Sequence, residues 1–203
     1  YCFGENDWTH ENWIEGVSNY FISKTIAEKT AWDFMESKGM KNKLTTINPG
    51  GVFGDALDKK GGTSIEYIRQ FLKGKFPAAP KFAVLISDVM DVAKSHIACI
   101  DNKNVGGRRL IVGKEVKKLV ELSQIMADAM PEYSKKLPKK ELPNFMVKLI
   151  SYLDSSAKTM IPDLGIIMQT DTTYAEELLG FKFKPAKDCI IENAKSVVKL
   201  GLV

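Results

Sequence analysis

A tyrosine and a lysine four residues apart, Tyr20 and Lys24, form the pair in this sequence best suited to acid–base chemistry. On a helix this spacing places the two side chains next to each other on one face. A phenol normally titrates near ~10, so it exchanges protons near neutral pH only when its anion is stabilised. A neighbouring ammonium group stabilises that anion. The pair is therefore a candidate proton donor with its activating cation.

The same pair, taken alone, is also typical of an ordinary solvated helix face. The tyrosine and lysine contents alone predict about one such pair by chance in a chain of this length. The spacing does not distinguish a catalytic pair from a surface pair, so the surrounding sequence has to decide.

A second candidate site lies at Pro49-Gly50-Gly51-Val52, where a predicted strand over residues 43–48 ends. Two adjacent glycines allow a backbone to approach a flat ligand closely. The alternative is a plain turn. On the ligand interpretation, the substitution Gly51→Val should weaken binding of that ligand without unfolding the protein.

Other residue types give little support for metal, redox or hydrolase chemistry. His10 and His96 are the two histidines, too few for a typical zinc site, and we predict His96 to be buried and hydrogen-bonded. The three cysteines, Cys2, Cys99 and Cys189, are widely spaced and are predicted to be reduced. The sequence contains no G-x-S-x-G nucleophile motif.

The charge distribution argues against nucleic-acid binding and membrane insertion. The chain has 29 Lys+Arg against 25 Asp+Glu, a net charge of +4, and its only arginines are Arg69, Arg108 and Arg109. Nucleic-acid binders concentrate positive charge on one face and favour arginine. No apolar run approaches the length that crosses a bilayer. We expect a cytoplasmic protein, and the sequence leaves its oligomeric state open.

Hydrophobic periodicity predicts helices alternating with strands around these candidates. The predicted helices cover residues 19–38, 63–73, 88–100, 115–129, 144–153, 172–179 and 186–200, and the predicted strands cover 43–48, 82–86 and 109–112. This alternation indicates an α/β fold with a parallel sheet. Three short strands cannot cover so many helices, so we expect further strands upstream of residue 1.

The context of the Tyr20–Lys24 pair resembles the extended short-chain dehydrogenases/reductases, and within them the dihydroflavonol reductase and aldehyde reductase branch. The segments that carry the resemblance are Glu5-Asn6-Asp7-Trp8, Tyr20-Phe21-Ile22-Ser23-Lys24, Ala31-Trp32-Asp33-Phe34, Asn48-Pro49-Gly50-Gly51-Val52-Phe53-Gly54 and Asp88-Val89-Met90-Asp91-Val92-Ala93. They follow one another in the family's order along nearly the whole chain.

The resemblance implies a partial Rossmann-like parallel sheet, without its N-terminal strands, and a mostly helical C-terminal substrate domain. Residues 1–60 would hold the end of the Rossmann-like domain with the catalytic helix, and 61–81 an insertion of the substrate domain. Residues 82–105 would return to the Rossmann-like domain, and 106–203 would form the helical substrate-binding domain. Since the chain has no G-x-x-G-x-x-G turn, we expect the pyrophosphate loop and the catalytic serine to precede residue 1.

The activity implied by the resemblance is reduction of a ketone or aldehyde with NADP as cofactor and NAD as the alternative. Tyr20 would donate the proton, and Lys24 would bind the nicotinamide ribose. The residues implied to bind the cofactor are Tyr20, Lys24, Pro49, Gly50, Gly51 and Val52. Those expected to contact the small carbonyl substrate are Phe53, Met160 and Met168.

Two alternatives remain open at this point. One is a nucleotide-sugar epimerase or dehydratase, or a steroid-type dehydrogenase, of the same fold. The other is a truncated, non-catalytic product. We expect the isolated 203-residue polypeptide to be aggregation-prone or only partly folded, because apolar side chains such as Ile22, Ile26 and Phe34 would lack a covering sheet. It should not bind NADP tightly, because the pyrophosphate loop is expected upstream of residue 1.

Overall fold

The catalytic-helix candidate is helix α1, Asn19–Ser37, and it begins and ends close to the predicted positions. We describe it in a computed structural model, which defines residues 1–9, 18–152, 161 and 164–203. Gly39 ends the helix in the left-handed conformation at φ 65°. Its N–H bonds the carbonyl of Glu36, and the Met40 N–H bonds that of Met35. This pair of bonds is the Schellman motif, which satisfies the last carbonyls of a helix.

The remaining helices agree with the periodicity to within one residue except at two boundaries: the helix predicted over 144–153 ends at Ile150, and the helix predicted from 115 begins later. They are α2 Thr63–Leu72, α3 Val89–Asp101, α4 Leu119–Ala129, α5 Asn144–Ile150, α6 Thr173–Leu179 and α7 Ala186–Lys199. Asp88 caps α3, because its carboxylate accepts hydrogen bonds from the N–H groups of Met90 and Asp91. The prediction of helix from residue 115 is wrong, since α4 begins only at Leu119.

The strands in the described ranges are more numerous than the three predicted. They are β1 Cys2–Phe3, β2 Thr45–Pro49, β3 Gly51–Phe53, β4 Ala79–Pro80, β5 Ala83–Asp88, β6 Arg108–Val112, β7 Glu115–Lys118, β8 Glu141–Leu142 and β9 Gln169–Thr170. β7 replaces the first turn of the predicted helix. Antiparallel pairing with β5, from Ala83↔Lys118 to Ile86↔Glu115, overrides its local helical preference.

The other pairings are parallel, as the α/β alternation predicts. β2 pairs with β6 from Thr45↔Arg108 to Pro49↔Val112. β3 pairs with β5, and two short pairs join β1 to β9 and β4 to β8. The α/β fold class is therefore confirmed.

The main core lies where β3 and β5 meet α2, α4 and α7. Its fully buried side chains include Phe71, Ile86, Leu122, Met126 and Ile190. Burying a side chain of this size contributes about 1.5–3 kcal/mol. The segment 61–81 thus shares one core with helices from the C-terminal half of the chain.

Helix α3 buries a different face from the one predicted. Asp91 and Ser95 are its buried residues, whereas His96 is exposed, so the prediction of a buried histidine is wrong. His96 Nδ1 lies 2.8 Å from the carbonyl oxygen of Val92, one turn earlier on the same helix. This contact within the helix gives the imidazole nitrogen a hydrogen-bond partner while the ring stays exposed.

Apolar side chains of α1 remain exposed in the described structure. Ile26 and Phe34 each leave more than half of their surface accessible. Among the helices that the structure defines, none has the length and apolar character needed to cross a bilayer.

A buried carboxylate fastens α6 to the rest of the fold. The Glu176 side chain is 3% exposed and accepts hydrogen bonds from Lys114 Nζ at 2.6 Å, Lys182 Nζ at 2.9 Å and the Phe183 N–H at 2.9 Å. Burial raises the pKa of Glu176, but these donors outweigh burial and hold the pKa below its ordinary value.

We expect Glu176→Gln to lower the free energy of unfolding by about 1.5–3 kcal/mol at pH 7, the range for hydrogen bonds to charged groups. A carboxyl whose pKa is depressed in the folded state stabilises above its unfolded pKa and loses that contribution as pH falls through the folded pKa. The difference between the two proteins should therefore shrink below about pH 4. Urea unfolding at both pH values measures it.

The control is Glu177→Gln, because the next carboxylate along α6 is exposed. It should change stability by less than ~0.5 kcal/mol. Equal losses in the two variants would contradict the structural role of Glu176.

Candidate active site

Tyr20 and Lys24 lie side by side on the first half of α1, as their spacing predicts. The Lys24 Nζ is 5.6 Å from the centre of the Tyr20 ring. Tyr20 is 64% exposed. Among the described residues, neither the Tyr20 hydroxyl nor the Lys24 ammonium has a hydrogen-bond partner.

The Pro49–Val52 loop connects two strands that belong to different sheets. β2 ends at Pro49 and β3 begins at Gly51, so Gly50 makes the crossing. The Gly50 N–H donates to Ser87 Oγ at 2.8 Å, and that hydroxyl donates to the Val112 carbonyl at 2.6 Å. A buried serine thus fixes the crossing point, a role that no local pattern around Ser87 indicates.

The two glycines are required by packing against β5. A Cβ atom added at Gly50 would overlap the carbonyl oxygen of Leu85, and one added at Gly51 would lie 2.8 Å from Val84 Cγ2. These positions face a neighbouring strand. Packing against β5 accounts for glycine at both positions, and the approach of this loop to a flat ligand stays a prediction. Gly51→Val would disturb packing before any ligand is considered.

Glu28, one turn after Lys24, is a polar junction that the sequence reasoning missed. Its carboxylate receives two nitrogens of Arg109, at 2.8 and 3.0 Å. It also accepts hydrogen bonds from Thr46 Oγ1 at 2.6 Å, Asn48 Nδ2 at 3.3 Å and Trp32 Nε1 at 3.2 Å. Burial raises the pKa of Glu28, but the hydrogen bonds from Arg109 and Thr46 outweigh it and the pKa falls below its ordinary value. Glu28 is therefore ionised at neutral pH.

Arg109 extends this junction to the segment that precedes α1. Its Nη1 donates to the carbonyl oxygens of Glu5 at 2.6 Å and Asp7 at 2.7 Å. The guanidinium carbon lies 3.7 Å from the centre of a Trp8 ring, a cation–π contact. Side-chain exposure is 18% for Arg109 and 12% for Glu28, so this pair is largely removed from water. The residues 5–8, singled out by the sequence, are held by this arginine.

The amino-acid sequence of this chain is similar to those of several reductases. The chain is 29% identical over 212 residues to the NADPH-dependent methylglyoxal reductase of Saccharomyces cerevisiae, covering 97% of this chain and 57% of the relative. It is 26% identical over 198 residues to cinnamoyl-CoA reductase 2 of Arabidopsis thaliana, covering 97% of this chain and 53% of that protein. No family model matches the chain.

The fold comparison agrees with the sequence comparison. The whole chain superimposes on 58% of the crystal structure of yeast methylglyoxal/isovaleraldehyde reductase complexed with NADPH, with a TM-score of 0.73 and 26% identity. The chain is therefore similar, in sequence and in fold, to extended short-chain dehydrogenases/reductases. It spans a little over half of the length of the relatives it matches.

The residues predicted to contact substrate occupy different environments. Phe53 is 4% exposed and its side chain packs in the main core. Met168 is exposed, immediately before β9. Met160 lies outside the described residues.

We expect Gly50→Ala to destabilise the protein by about 1–3 kcal/mol, the usual cost of overpacking, because the new methyl group meets the backbone of β5. The matched control is Gly4→Ala, since a Cβ at Gly4 would have no neighbour within 4 Å. Thermal unfolding of both variants measures the difference. A Gly50→Ala protein as stable as the control would show that the loop is not packed on Leu85.

Proposed function

We propose that this chain carries the catalytic tyrosine and part of the substrate site of an NADPH-dependent carbonyl reductase that acts on small aldehydes or ketones. The observation that carries the proposal is the exposed Tyr20–Lys24 pair on a helix joined through Glu28 to the strand that enters the Pro49–Val52 loop. The yeast relative with this fold was solved with NADPH and is named for methylglyoxal and isovaleraldehyde.

The residues present suit a nicotinamide cofactor by the chemistry of their donors. An ammonium group and a phenol one turn apart, both without partners in the described ranges, can bind a ribose hydroxyl and a carbonyl oxygen side by side. Lys24 would hold the nicotinamide ribose, and the backbone at Val52 would contact the carboxamide. When bound, the cofactor supplies a hydride to the carbonyl carbon.

Tyr20 completes the reduction at the other end of the carbonyl bond. Its hydroxyl hydrogen-bonds the substrate oxygen and transfers the proton as negative charge develops there. The phenolate left behind is favoured by the positive charge of Lys24 beside the ring. The same lysine therefore serves cofactor binding and proton transfer.

The substrate side of the site is assigned by the resemblance. Among the described residues that are expected to contact substrate, Met168 has an exposed apolar side chain. Met160 and the segments 61–81 and beyond 113 complete the proposed pocket. Relatives named as reductases favour this chemistry over the epimerase, dehydratase or steroid dehydrogenase alternatives.

We expect Tyr20→Phe to lower kcat/KM for methylglyoxal at least tenfold, about 1.4 kcal/mol of barrier, while the NADPH Kd changes little. Lys24→Met should lower turnover and also weaken NADPH binding, since that lysine serves both. The assay follows NADPH oxidation by the protein produced from its complete reading frame. Fluorescence titration gives the cofactor Kd.

The control is Tyr1→Phe, because Tyr1 is 88% exposed and lies outside α1 and outside the segments assigned to the pocket. It should retain full activity. If Tyr20→Phe keeps more than a tenth of the unchanged protein's kcat/KM, Tyr20 is not the proton donor.

A further inference from the structure

We infer that Glu28, clamped by Arg109, is a positioning residue that sets the placement of the Tyr20–Lys24 pair relative to the Pro49–Val52 loop. The inference rests on the proposed function, because it gives Glu28 its role through Tyr20 and Lys24. Glu28 itself is directed at the sheet, whereas the pair that it positions is directed at solvent.

Helical spacing links Glu28 to the Tyr20–Lys24 pair. Tyr20, Lys24 and Glu28 recur every four residues on one uninterrupted helix. Each interval rises about 6 Å and turns the side chain by roughly 40° relative to the one before. Fixing the helix at Glu28 therefore fixes both the height and the rotation of Lys24 and Tyr20, because the intervening turns are hydrogen-bonded.

The Glu28 carboxylate also holds β2, the strand that enters the Pro49–Val52 loop. Glu28 Oε1 accepts from Thr46 and from Asn48, and Asn48 is the residue immediately before Pro49. One atom thus sets the separation between α1 and the end of β2. On the far side of Pro49, Gly50 is fixed by the Ser87 hydroxyl, so displacement of α1 would not be followed by the rest of the loop.

Burial and a two-nitrogen contact distinguish the Glu28–Arg109 pair from an ordinary surface salt bridge. Exposed ion pairs contribute little, whereas Arg109 meets Glu28 with two nitrogens in a mostly buried setting. The third arginine nitrogen binds the carbonyls of Glu5 and Asp7. All of the guanidinium nitrogens are therefore committed, and the arginine holds α1, β6 and the segment before α1 in one arrangement.

Hydrogen exchange on the protein produced from its complete reading frame tests the geometry without any assay of activity. Glu28→Gln keeps the size of the side chain but removes its charge. We expect amide exchange to accelerate at least threefold both in residues 19–28 and in peptides covering 44–54. The matched variant is Asp33→Asn, an exposed carboxylate on the same helix, which should leave both regions unchanged. Acceleration confined to α1, or spread evenly over the chain, would overturn the coupling.

Kinetics on the protein produced from its complete reading frame test the positioning role. Glu28→Gln should lower kcat about tenfold with the KM for methylglyoxal within about twofold, whereas Asp33→Asn should retain kcat. In a Tyr20→Phe background the same substitution should cost less than twofold, because a residue that acts through Tyr20 loses its effect when the hydroxyl is absent. Equal fold losses in both backgrounds would overturn the role.

Two outcomes separate the inference from the function on which it rests. An inactive Tyr20→Phe protein beside a fully active Glu28→Gln protein would overturn the positioning role alone. A fully active Tyr20→Phe protein would overturn the proposed function, and the catalytic part of this inference with it.

Discussion

The ion pair between Glu28 and Arg109 joins parts of the chain that are 81 residues apart. Removing two charges from water is costly, and the cost is recovered only when each polar atom finds a partner. Here the carboxylate has donors from Thr46, Asn48 and Trp32 in addition to the guanidinium, and the arginine has two backbone acceptors in the segment before α1. Loss of either partner would leave the other charge buried, so α1, β2 and β6 are held together as one unit.

Close packing at Gly50 and Gly51 adds a second constraint of a different kind. Absence of a side chain lets the crossing from β2 to β3 lie on the backbone of β5, and Ser87 supplies the hydrogen bond that the crossing N–H needs. An ion pair tolerates small changes in distance, whereas a contact with backbone atoms does not. The loop is thus fixed more tightly to β5 than α1 is fixed to β2. If Tyr20 and Lys24 moved relative to the loop, the movement would occur where Glu28 contacts β2.

Local patterns predicted the parts of this structure that depend on neighbours in sequence. The bounds of α1, the cap at Asp88 and the contact of Tyr20 with Lys24 all follow from spacings of a few residues. The strand at 115–118 was missed because its pairing partner lies 30 residues earlier and its own composition favours helix. Glu28 and Arg109 were missed for the same reason, since no local spacing links them. The proposed activity was inferred from the family resemblance and not from the periodicity.

Helix α1 separates the residues that hold it from the residues that would perform chemistry. Trp32 and Glu28 face the sheet and are buried or nearly so, whereas Tyr20 and Lys24 face outward. Because Tyr20 is 64% exposed, removing its hydroxyl takes away no buried contact and leaves no unsatisfied partner inside the fold. A loss of activity at Tyr20 can therefore be assigned to chemistry. The same loss at Glu28 has to be separated from stability, because there the carboxylate serves the packing and the alignment at once.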